Sequence, residues 1–82
     1  MKILYFSWLR ERIGVPSENI ETSALTVNEL LSELILSDMR YKEAFSNPVS
    51  LRVAIDQELA NDFSASIVGA SEIAFFPPMT GG

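Results

Sequence analysis

The apolar positions of this chain fall into three different rhythms, and each predicts a different kind of element. Residues 2 to 9, "KILYFSWL", form a dense run of aliphatic and aromatic side chains, the pattern of a first, buried β-strand. In residues 26 to 37 the rhythm changes to threes and fours. Val27, Leu30, Leu31, Leu34 and Ile35 make one apolar stripe on a helix that would lie against a sheet, with Asn28, Ser32 and Glu33 towards solvent. Thr26 and Glu29 have the spacing of a capping box at its start, and Leu25 and Leu30 occupy the positions of a hydrophobic staple. Strict alternation returns in "SLRVAID", residues 50 to 56, with Leu51, Val53 and Ile55 on one face and Arg52 and Ala54 on the other.

The segments between these follow from local chemistry. Arg10 to Ile13 can make one helical turn, stopped by Gly14 in a left-handed conformation. A short second strand is expected near Asn19 to Thr22, across a wide connection from the first. "DMRYKEAF" predicts a second short helix or an irregular helical stretch, ended by "SNP". A tight turn at Asp56-Gln57 would return the chain through Glu58 to Ala60. After a turn around Gly69, the last strand runs from about Glu72 to Phe76, and Pro77 and Pro78 end it because neither can donate a ladder hydrogen bond. The predicted fold class is therefore α+β, a mixed sheet with one main helix across one face.

Eighty-two residues make one domain, 1–82, with residues 77–82 as an extended C-terminal tail. An apolar content of 48% supports a packed core. The chain has neither cysteine nor histidine, which removes disulfides, thiolate metal sites, a cysteine nucleophile and any histidine-based triad. Its formal charge of -5 disfavours nucleic acid and suits a protein partner with a positive dock. No run reaches the length of a membrane span, and the N-terminal apolar run breaks at "RER" without a cleavage pattern, so a cytoplasmic location is expected.

Few residues suggest chemistry. The four glycines, at 14, 69, 81 and 82, are too scattered for a phosphate cradle. Asp56 and Glu58 could face one side as a carboxylate pair, although acids beside turns are usually just solvated. Tyr5, Phe6 and Trp8 read as core or flanking residues rather than a ligand-binding cage, and Arg10 and Arg12 as surface partners of Glu11. The ending "FFPPMTGG" stands apart. Adjacent in a strand, Phe75 and Phe76 point to opposite faces, so one can anchor the core and the other face a partner. Pro77 and Pro78 stiffen the exit. Gly81 and Gly82 can enter a channel closed to larger residues and end in an exposed carboxylate. A frayed end of small residues is the plain alternative.

Four stretches together carry a resemblance: "LYFSWLRERIG", "TVNEL", "LRVAIDQELAN" and above all "EIAFFPPMTGG". Over essentially its whole length the chain resembles the ubiquitin-like sulfur carriers that form the small subunits of molybdopterin synthases. It departs from them at Gly69-Ala70-Ser71, where a Gly-Asp pair is usual, a change of turn chemistry. The resemblance implies a β-grasp fold and a non-catalytic carrier whose active site lies on a large subunit. It implies that an ATP-dependent activating enzyme adenylates Gly82 and that an external sulfur donor converts it to a thiocarboxylate. The sulfur would then pass to cyclic pyranopterin monophosphate, in a heterotetramer of two small and two large subunits. No cofactor would be bound by the chain itself, and neither nucleic acid nor membrane would be a partner. Gly81, Thr80 and Met79 would thread the tail, and Phe75 or Phe76, Pro77, Pro78 and Leu59 would dock the partner, with Glu58 or Asp62 steering the encounter. A sulfur carrier for thiamine or transfer RNA thiolation, or a ubiquitin-like protein-conjugating modifier, would share the fold and the tail. A plain interaction domain with an inert tail would undergo no ATP-dependent change.

Overall fold

A computed structural model describes residues 1–46, 51–60 and 62–77. The elements in chain order are β1 (Lys2–Tyr5), α1 (Trp8–Ile13), β2 (Ser17–Asn19), α2 (Val27–Ser37), α3 (Met39–Ala44), β3 (Arg52–Ile55), β4 (Glu58–Leu59) and β5 (Glu72–Phe76). They form a five-stranded sheet in the order β2-β1-β5-β3-β4. β1 and β5 run parallel at its centre, and the remaining pairs are antiparallel. Residues from α2 and from the sheet share one apolar core, in which Ile3, Val27, Leu30 and Ile73 are fully buried. A mixed sheet of this order gripping one main helix is the β-grasp arrangement.

The first strand is shorter than its composition predicts. β1 ends at Tyr5, and Ser7, with φ 56°, swings the chain into α1. Leu9 and Ile13, one helical turn apart, are buried, and Gly14 ends the helix at φ 99° with its N–H donating to the Arg10 carbonyl at 2.8 Å. The second strand also lies earlier than expected, at Ser17–Asn19 rather than Asn19 to Thr22. Its core-facing residue is Glu18, paired in register with Ile3. Tyr5 and Tyr41 both donate their hydroxyls to Glu18 Oε2, the former at 2.7 Å. Burial first, and the Glu18 carboxylate second, push both phenols above their usual range. Arg40 closes the cluster by donating to the Ile13 carbonyl at 3.0 Å. This polar pin ties β1, β2, α1 and α3 together.

The main helix begins and ends as its pattern predicts. Thr26 Oγ1 accepts from the Glu29 N–H at 3.2 Å. The Glu29 carboxylate takes the Thr26 hydroxyl rather than reaching the backbone. Two more first-turn donors are met by the later loop, Val27 N–H by the Ala65 carbonyl and Asn28 N–H by Phe63, which leaves few helix-end donors unpaired. Leu25, expected to staple onto Leu30, is instead 57% exposed, while Leu30 is buried in the core.

Candidate functional site

β5 is the central strand that leads out of the fold, and both of its ends are held. At its start, Asp56 Oδ1 accepts from the N–H groups of Ser71 and Glu72, each at 2.9 Å, and the Asp56 N–H donates to the Glu72 carbonyl at 2.8 Å. Asp56 can do this because the β3–β4 hairpin turns on two residues with positive φ, Asp56 at 48° and Gln57 at 71°, the geometry of a type I′ turn. At its far end, Phe6 N–H donates to the Phe75 carbonyl at 3.1 Å. Phe75 itself has no exposed surface. Its ring lies 5.2 Å from Phe45 and 6.4 Å from Tyr5, measured between centroids, in a buried aromatic cluster.

Among the described residues no helix covers the sheet face away from α2, and the register defines what this open face presents. Leu4, Ala74, Ala54 and Leu59 are successive cross-strand partners, so they form one apolar row across four strands. Leu59 at its edge is 65% exposed. One step towards the exit, Phe76 pairs with Arg52, and Phe6, alternating with buried Tyr5, lies beside them. One step the other way, Lys2 pairs with Glu72. The result is an apolar surface with a charged margin, continuous with the point where the chain leaves the sheet.

This arrangement sorts the residues singled out in the sequence. Of the two phenylalanines considered for docking, Phe75 is withdrawn into the core and Phe76 is left half-buried on the open face. Alternation separates them because one strand cannot turn neighbours to the same side. Leu59 shares that face with Phe76, although the two are distant in sequence. Pro77 is the last residue described, half-buried just past the strand. Pro78, Met79, Thr80, Gly81 and Gly82 lie outside the described residues. Asp56 and Glu58 form no carboxylate pair: Asp56 caps the start of β5, while Glu58 pairs with Ile55 on the side opposite Leu59. Asp62 is exposed, and its hydrogen bonds from the Ser64 hydroxyl and N–H hold its carboxyl below the usual range.

The sequence reading also passed over Phe6 as a surface residue. At 45% exposure it belongs to the open face, which its place three residues after buried Ile3 in the same alternation would have indicated. Trp8 is 37% exposed, with the Arg12 guanidinium 5.6 Å from its ring centroid. Arg10 and Arg12 make no ion pair with Glu11, and among the described residues the ion pair is Arg40 with Asp38. Among those residues there is also no cluster of potential metal ligands and no helix long and apolar enough to cross a membrane. An open groove lined by Ile20, Leu25, Ile67 and Val68 lies by the opposite end of the sheet and brings no acid–base pair together.

Among the described residues this β-grasp domain shows no enclosed catalytic constellation, and its central strand borders an apolar sheet face. The chain belongs to the ThiS family, which matches residues 3–82. It is 30% identical over 82 residues to the molybdopterin synthase sulfur carrier subunit of Escherichia coli (strain K12), covering 100% of this chain and 99% of the relative. To the molybdopterin synthase sulfur carrier subunit of Haemophilus influenzae the identity is 33% over 82 residues, with the same coverage. Among solved structures, SAMP1 from Haloferax volcanii superposes with a TM-score of 0.73 at 23% identity, covering 100% of this chain and 98% of that one. That likeness establishes the shared fold.

Proposed function

We propose that this chain is the sulfur carrier subunit of a molybdopterin synthase. The observation that carries the reading is the full-length similarity to two sulfur carrier subunits, tail included. The held exit of β5 supports it, since a carrier must present its end without unfolding. In this reading the Gly82 carboxylate attacks ATP on an activating enzyme, expelling pyrophosphate and leaving an acyl adenylate. An external donor supplying sulfide-level sulfur as hydrosulfide displaces AMP, loses a proton and leaves a thiocarboxylate. Activation is needed because a free carboxylate is a poor electrophile. The donor is external because the chain has no cysteine.

The loaded tail then enters the active site of a large subunit, where its sulfur passes to cyclic pyranopterin monophosphate. Gly81 gives clearance in the channel, and Thr80 and Met79 form the lead-in. The open face, through Phe76 and Leu59, docks the partner together with the prolines Pro77 and Pro78 of the exit segment, and makes delivery effectively intramolecular. No acid or base for the transfer is assigned to this chain. That chemistry falls to the large subunit.

The test is intact-mass analysis after incubation with ATP, an activating enzyme and a sulfur source. An increase equal to an oxygen-to-sulfur exchange is expected for the full chain and not for a chain lacking Gly82. Sulfur loading of the shortened chain would refute the assignment of Gly82. Covalent adducts on other proteins, in place of the exchange, would identify a conjugating modifier instead.

A further inference from the structure

The chain carries a net charge of -5, which on its own favours a basic partner. The distribution of that charge points the other way at the face that matters. Among the described residues, Glu72 is the one acid that the strand register places on the open face, and it stands opposite Lys2. Glu18 is turned to the core, Glu58 to the side opposite Leu59, and Asp56 is engaged by the start of β5. What remains on the open face is Arg52. It is exposed, paired in register with Phe76 next to the exit, and has neither an ion pair nor an aromatic ring under its guanidinium among the described residues.

Covering this face strips water from the surroundings of a guanidinium that has no ion pair among the described residues. That is unfavourable unless the incoming surface supplies hydrogen-bond acceptors. A carboxylate meets the guanidinium fork with two parallel charge-assisted bonds, which a lysine-rich surface cannot do and would oppose by repulsion. We propose that the open face selects a partner whose contact surface is apolar and carries a carboxylate against Arg52, so that contact specificity runs opposite in sign to the chain's net charge. The inference rests on the reading above that this face receives the large synthase subunit. Arg52 is then a specificity determinant for that encounter.

The two charge effects predict opposite signs for one substitution. Binding of the full chain to the purified large subunit is measured by calorimetry at two salt concentrations, for the wild type, R52E, R52Q and the remote reversal K42E on α3. R52E is expected to weaken binding by at least about tenfold. R52Q is expected to fall between R52E and the wild type, and K42E to bind as the wild type does. Equal or tighter binding by R52E overturns the proposal, because a basic dock would favour the more acidic chain. Thermal melts accompany each variant. If R52E melts early, R52Q decides, and unchanged affinity in R52Q overturns the proposal. Failure of the wild-type chain to bind the large subunit at all would instead overturn the proposed function, and this inference with it.

Discussion

Phe75 and Phe76 are neighbours of the same residue type, and the structure predicts that they fail in different ways when truncated. Phe75 is fully buried against Tyr5 and Phe45. Replacing it with alanine removes a buried ring, leaves a cavity and breaks two aromatic contacts, a loss of about 4 kcal/mol. At roughly 0.05 to 0.15 kcal/mol per residue, a chain of 82 residues has only about 4 to 12 kcal/mol to lose. Phe76→Ala removes a half-buried ring from the open face and should cost about 1 kcal/mol. With a urea m-value near 1.5 kcal/mol/M, the midpoint should fall by about 2.5 M for Phe75→Ala and by less than about 1 M for Phe76→Ala. Urea denaturation followed by circular dichroism measures both. Binding to the large subunit should show the reverse order, with Phe76→Ala weakened although its urea midpoint stays close to that of the wild type. Equal midpoints for the two variants would refute the division of labour.

Three further perturbations test the framework that holds the exit in place. Tyr5 and Tyr41 keep their protons in the folded chain at pH values where the unfolded chain has begun to lose them, because burial and Glu18 raise both groups. Their stabilisation is therefore intact below the unfolded phenol value of about 10 and lost as the pH rises beyond it, so urea midpoints should drop in that range, less steeply in Tyr41→Phe. A flat alkaline profile would contradict the pin. Gln57→Gly relieves a left-handed residue in the type I′ turn, and after the extra chain entropy of glycine it should raise stability by about 0.5 kcal/mol, seen as a melting increase of roughly 3 °C. Thr26→Ala removes the cap of α2 and should cost about 1 kcal/mol in the same melts.

How much of this was legible in the sequence depended on whether the local physical signals agreed. The stripe of α2 and the end of β5 were legible because spacing and capping agreed at the helix and proline chemistry stopped the strand, and the Asp56-Gln57 turn was legible where the alternation of β3 breaks. β1 was overextended because Phe6 and Trp8 favour strands by composition. The i, i+4 pair Leu9 and Ile13 already carried the helical period, and the turn at Ser7 let it prevail. β2 was displaced for a different reason. Its inward residue is an acid, so alternation read from apolar residues could not find it. Glu18 is tolerated there by two tyrosine hydroxyls, one from β1 and one from α3, a partnership that only the tertiary fold creates.

The candidate surface was the least legible part, and the reason is topological. Leu59, Phe76 and Arg52 come from three strands, and their side chains share a face because β3 pairs with β4 on one side and β5 on the other. A one-residue slip of β3 against β5 would turn Arg52 towards the core and Val53 towards solvent. The burial of Leu51 and Val53 on either side of exposed Arg52 opposes that slip, so the core fixes which residues the open face can offer. Net charge carries no such positional information. It describes long-range attraction, whereas the register decides which charge a partner meets at contact, and here the two differ in sign. A partner matched only to the overall charge would be drawn to the chain and then meet Arg52 with the wrong group.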